Sequence, residues 1–153
     1  MKPNSLRRAI IGVTAVLVAA ASSVATVMPA EALTGSQYNN TLPYPTGCGQ
    51  GAYVITSRAI LGGTASMVYS PRCGTNWIEW WGPYRTTVKT MYQPAKTSTE
   101  TDTASWSYSR QVYAPGTAVA RGEIWVWVDN TGYSGAQGWS VRCASTCSWV
   151  QFY

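Results

Sequence analysis

The chain has 153 residues, of which eleven are Lys or Arg, six are Asp or Glu and none is His. That length suits one domain, or a leader followed by one domain. The absence of histidine excludes Ser-His-Asp and Cys-His nucleophile arrangements and removes the commonest zinc ligand.

In chain order, Lys2, Arg7 and Arg8 form a basic start, an apolar run extends from Ala9 to about Val27, and Ala30-Glu31-Ala32 fits the small-x-small rule of signal peptidase. Residues 1–32 are therefore expected to be a signal peptide cleaved after Ala32, in preference to a retained anchor. General secretion is favoured over the twin-arginine route because the usual residues around Arg7-Arg8 are missing. The remaining residues, 33–153, carry eight basic against five acidic side chains and no second apolar segment of spanning length. A secreted, extracellular protein with no membrane span after cleavage is expected. Its basic residues, from Arg58 to Arg142, stand singly without a stripe that could track phosphates, so nucleic acid is not an expected partner.

Residues 33–47, LTGSQYNNTLPYPTG, are polar, contain Pro43 and Pro45, and have little to bury. They predict an extended N-terminal arm, either an idle leader or a docking segment that pairs with a groove or sheet edge of another secreted protein. Tyr38, Leu42 and Tyr44 are its candidate partner-binding anchors.

A single β domain is expected over 48–153. Short segments rich in Val, Ile, Thr, Trp and Tyr predict strands at 52–57, 64–70, 76–81, 86–92, 105–113, 123–129, 138–142 and 148–152. The intervening turns fall at Gly62-Gly63, Pro71/Gly74, Gly82-Pro83, Pro115-Gly116, Asp129 to Gly132, and Gly135. Between residues 105 and 113 the alternation puts Trp106, Tyr108 and Val112 on one face and Ser105, Ser107, Ser109 and Gln111 on the other. In the next segment Ile124, Val126 and Val128 oppose Trp125 and Trp127. Helical spacing is nearly absent, which predicts an all-β fold: a small antiparallel sandwich or barrel.

Cys48, Cys73, Cys143 and Cys147 are an even set in an exported chain and read as two disulfides. Of three connectivities, Cys48–Cys73 and Cys143–Cys147 are preferred because each pair flanks a turn or hairpin. A four-thiolate zinc site lacks the usual paired C-x-x-C knuckles, so neither metal nor cofactor is expected.

Nineteen aromatics follow residue 32: eight Trp, ten Tyr and one Phe. Many must build the core because Leu and Phe are scarce. On a strand at 76–81, Trp77 and Trp81 share a face that is expected to be core, leaving Trp80 on the other. Trp80, Trp125 and Trp127 are the candidate ligand-stacking residues, for a cell-wall glycan or a protein surface. No catalytic residue is expected. The best carboxylate pair, Glu79 and Glu123, reads more simply as edge or solvent-facing charge, and Glu100 and Asp102 as a solvated polar loop. Gln137-Gly138-Trp139 matches a trefoil-lectin Q-x-W element once, where a trefoil needs three.

The run GTASMVYSPRCGTNWIEWW resembles the signature of a family of small secreted actinobacterial proteins of unknown function. In that signature a strand leads into Tyr-Ser-Pro-x-Cys and a Trp-containing strand follows, here Tyr69, Ser70, Pro71, Cys73 and Trp77, with Cys48 as the implied partner cysteine. The layout of signal peptide, free arm and disulfide-bonded β domain is similar to the adaptor subunit of secreted streptomycete umbrella toxin particles. That likeness implies a non-enzymatic adaptor that docks through 33–47 and belongs to an antibacterial toxin complex. The alternative is a carbohydrate or cell-wall binding module that uses exposed tryptophans.

Overall fold

The computed structural model describes residues 35–93, 96–129 and 135–153, so the expected signal peptide lies outside the described residues. No helix among the described residues is long and apolar enough to cross a membrane.

Eight antiparallel strands follow: β1 (Tyr53–Ile60), β2 (Gly63–Ser70), β3 (Thr75–Gln93), β4 (Lys96–Tyr108), β5 (Val112–Tyr113), β6 (Ala120–Trp127), β7 (Ala136–Cys143) and β8 (Cys147–Gln151). They form one sheet in the order β1-β2-β3-β6-β7-β8, with β4 and β5 paired to β3 alone. The sheet curls until it is nearly closed as a barrel, and its two ends, β1 and β8, meet through side chains. Trp149 Nε1 donates to Thr56 Oγ1 at 3.1 Å, and the Arg58 guanidinium lies 4.2 Å over the Trp139 ring of β7.

The all-β expectation holds, and both preferred disulfides form, Cys48–Cys73 and Cys143–Cys147. Several strand ends shift by two or three residues, the strand expected at 105–113 is interrupted at 109–111 between β4 and β5, and two differences are larger. The segments expected at 76–81 and 86–92 are one 19-residue strand, because Gly82-Pro83 produces only a register shift between Trp81 and Arg85. Pro83 is tolerated at such an irregularity, where no ladder donor is required. Residues 96–104, expected as a polar loop, continue β4, with Thr side chains laddered across the β3 pairing: Thr86 with Thr103 at 2.9 Å and Thr90 with Thr99 at 3.2 Å.

The inward face packs Met67, Ile78, Trp80, Met91, Ile124, Val126, Trp139 and Val141. Trp80 has the space for its ring because its cross-strand neighbours are Ala65 and Ser107. Gly63 and Gly82 also lie against it: a Cβ on Gly82 would stand 2.9 Å from Trp80 Cζ2 and 2.6 Å from Gly63 Cα. The same face carries a polar pocket in which fully buried Lys89 Nζ donates to Thr87 Oγ1 (2.7 Å), Asp102 Oδ2 (2.8 Å) and Ser107 Oγ (2.9 Å). Ser107, Ser109 and Gln111 are thus buried on the inner side while Ser105 is exposed, and Trp106 and Tyr108 face outward.

The described part of the expected arm is not extended. It begins with a 3-10 turn at Ser36–Tyr38 and continues through turns to residue 51. Thr46 Oγ1 donates to Leu42 O at 2.8 Å, and Gly47 and Gly51, at φ 77° and 69°, reverse the chain. The segment is hydrogen-bonded to residues 110–113. Asn40 N donates to Gln111 O and Gln111 N to Thr41 O, both at 2.9 Å. Gln111 Nε2 reaches Thr41 and Thr46 hydroxyls at 3.0 Å each, and Tyr113 N donates to Asn39 Oδ1 at 2.6 Å. With Cys48 bonded to Cys73, the segment is a clamp on the barrel, and its proline-bearing turns satisfy each other's carbonyls instead of awaiting a partner strand.

Candidate functional site: an aromatic platform on the outer face of β3 and β4

Alternation along β3 puts Trp77, Glu79 and Trp81 on the outward face. The β3–β4 register sets Tyr108 opposite Glu79 and Trp106 opposite Trp81. The clamp adds Tyr44. Its ring centroid lies 4.8 Å from Tyr108, 5.3 Å from Trp106 and 6.2 Å from Trp77. Trp106 stands 5.2 Å from Tyr108 and 5.5 Å from Trp81, the latter pair inclined at 38°. These are the offset and edge geometries that aromatic quadrupoles favour.

Glu79 lies at the base of this cluster, 7% exposed. The Tyr44 hydroxyl donates to its Oε1, Trp77 Nε1 donates to the same oxygen at 2.8 Å, and Trp81 Nε1 reaches Oε2 at 3.4 Å. All three neighbours are donors, as a buried carboxylate requires. Burial, followed by the hydrogen bond to Glu79 and its charge, holds the Tyr44 phenol well above the ordinary tyrosine range.

The platform is graded from dry to wet. Trp77 is fully buried beneath the clamp, whereas Trp106, Tyr44 and Trp81 are 37%, 39% and 57% exposed. A slot of about 180 Å³ borders it, lined by Leu42, Glu100, Asp102, Trp106, Ser107 and Tyr108. Glu100 pairs with Arg110 at 2.9 Å and Asp102 with Lys89 at 2.8 Å, so neither is a free loop charge.

The structure redistributes the sequence candidates. Trp80, the expected stacking residue, is fully buried in the barrel core, and Trp81, an expected core residue, is exposed. The clamp covers Trp77 and Glu79 but leaves Trp81 open, and alternation alone does not say which face of a strand will be inward. Tyr44 and Leu42 belong to the site, Tyr44 as an internal brace more than a free anchor. Half-buried Tyr38 lies in the 3-10 turn and has no contact with these rings among those described.

Trp125 and Trp127 are half-buried on the outer face of β6 and form a separate cluster. Their centroids are 6.2 Å apart, and Phe152 and Tyr153 lie 5.0 and 5.2 Å from Trp125. Glu123 accepts a 2.7 Å hydrogen bond from Tyr92 and is opposite Thr90, eleven positions along β3 from Glu79. At roughly 3.3 Å per residue, that is about 35 Å of strand path. The two carboxylates do not face each other across a cleft.

A larger cavity, about 540 Å³, lies beside the Cys143–Cys147 loop, between Tyr53, Thr56, Tyr69 and Asn76, and no charged side chain lines it among the described residues. Residues so far apart in sequence gave no signal of it. No family model, curated protein or solved structure matches the chain.

Proposed function

We propose that the protein is an exported glycan-binding module and that Trp81, Trp106, Tyr44 and Tyr108 form its sugar-stacking platform. The observation that carries this is the half-exposed ring cluster bordered by the Glu100/Asp102/Ser107 slot. Sugar rings stack their C–H faces on aromatic surfaces, while their hydroxyls need the polar acceptors that such a slot supplies. The two disulfides suit an oxidising compartment, in keeping with export.

Tryptophan fluorescence titrated with chitin oligomers, peptidoglycan fragments and glucans tests it. At least one should shift the emission, and Trp81→Ala with Trp106→Ala should weaken that ligand by at least about tenfold, the scale of losing two stacking faces. No response to any of the three would sink the proposal.

A second role, as an adaptor for another secreted protein in a toxin complex, is favoured at a different surface. The Trp125, Trp127, Phe152 and Tyr153 cluster has the aromatic enrichment of protein interfaces. Pull-down from culture supernatant with parent and Trp125→Ala protein tests that role, and undiminished recovery of every partner by the variant would remove this surface from it.

A further inference from the structure

We infer that the ligand of the platform carries a protonated amino group, making it an amino sugar with a free amine in preference to a neutral or acidic sugar. This rests on the glycan-binding role proposed above and assigns it a chemical class.

Three carboxyl groups surround the platform. Glu100 is neutralised by Arg110 and Asp102 by Lys89. Glu79 differs: its hydrogen-bond partners are the hydroxyl of Tyr44 and the indoles of Trp77 and Trp81, and among the described residues no cation pairs with it. One negative charge is therefore left uncompensated at the base of the ring cluster. Enclosure by indole and phenol rings lowers the local dielectric and lengthens the reach of its field. The faces of the same rings are negative, and a cation within about 6 Å of a ring centroid is attracted to them. The two effects add for an ammonium group over Trp81 and Trp106 and oppose a carboxylate or phosphate there. Glu79 also keeps acceptor capacity on Oε2, where its one bond among the described residues is the 3.4 Å contact from Trp81, the most exposed ring of the four.

The test compares the N-acetylated chitin tetramer with its deacetylated counterpart, using tryptophan fluorescence of the exported chain in one mildly acidic, low-salt buffer. The amine form should bind about three- to tenfold tighter, with the preference shrinking as salt is added. Glu79→Gln should bring the ratio of the two affinities close to one. In parent protein, choline should displace the amine oligomer at concentrations where its neutral isostere 3,3-dimethylbutan-1-ol does not, a comparison that stands even if the variant fails to fold. Equal affinity for the two tetramers, or equal competition by the two small molecules, overturns the inference and leaves the platform intact. Failure of both tetramers, together with peptidoglycan fragments and glucans, removes the platform itself.

Discussion

Lys89 and Asp102 set the clearest energetic asymmetry among the side chains. Lys89 is fully buried and its ammonium has three oxygen partners, whereas the Asp102 side chain keeps a third of its surface in water. Burial lowers the Lys89 pKa and the Asp102 carboxylate opposes that change. Removing the carboxylate strands a buried cation, while removing the cation leaves a carboxylate that water can reach. Asp102→Asn is therefore expected to lose about 3 kcal/mol in urea unfolding, and Lys89→Met no more than about 1 kcal/mol. The reverse order would show that the pair is not organised by burial. Tyr92 gives a pH signature. Its phenol is pushed from 10.0 up to about 12, first by burial and then by the Glu123 carboxylate that accepts its hydrogen bond. Folding favours the protonated phenol, so its contribution is complete below about pH 10 and is lost as pH rises toward about 12. Tyr92→Phe should flatten the alkaline decline of stability across that window, and a curve that keeps the parent slope would exclude Tyr92 as its source.

Among the elements, the clamp has changed most from its appearance in sequence. Residues 35–47 look dispensable because they are polar and proline-bearing, yet they cover Trp77 and fix Gln111 and Tyr113. Deleting 35–46 should cost at least about 3 kcal/mol, the scale of re-exposing one buried tryptophan with its neighbours. Chemical denaturation of the truncated chain measures this, and parent-like stability would restore the segment as a free arm. Why the sequence misleads here is physical. Alternation identifies which residues share a face, so the grouping of Trp77 with Trp81, of Ile124 with Val126, and of Trp106 with Tyr108 could be read directly. It cannot say which face will turn into the barrel or which the clamp will cover. Trp80 is core and Trp81 exposed because the face carrying Trp80 is the barrel interior, and Ser107 turns inward on β4, where its hydroxyl accepts from Lys89. Of the site, Trp77, Glu79 and Trp81 are visible in sequence as a cluster, but Trp106 and Tyr108 reach it only through the β3–β4 register.

For the molecule as a whole, the two disulfides should contribute unequally. Cys48–Cys73 spans 25 positions and holds the clamp to the end of β2, whereas Cys143–Cys147 spans four and joins residues already opposite in the β7–β8 ladder. Chain entropy predicts about 3.5 kcal/mol for the first and about 2 kcal/mol for the second. Thermal melts of the two double-alanine variants should therefore rank Cys48→Ala/Cys73→Ala as the less stable, and the opposite ranking would mean that the clamp is held mainly by its hydrogen bonds. The long strand β3 has a wider consequence. It pairs with β2 along Thr75–Trp81 and with β6 along Thr87–Tyr92, while β4 runs beside both stretches. One continuous backbone thus carries β2 and β6 in succession along one edge and β4 along the other, so loosening either stretch disturbs the strand on which the other is built. Native-state amide exchange should find β2 and β6 opening at a single shared free energy, as one cooperative unit, with separate values for the two strands marking Gly82-Pro83 as a break after all.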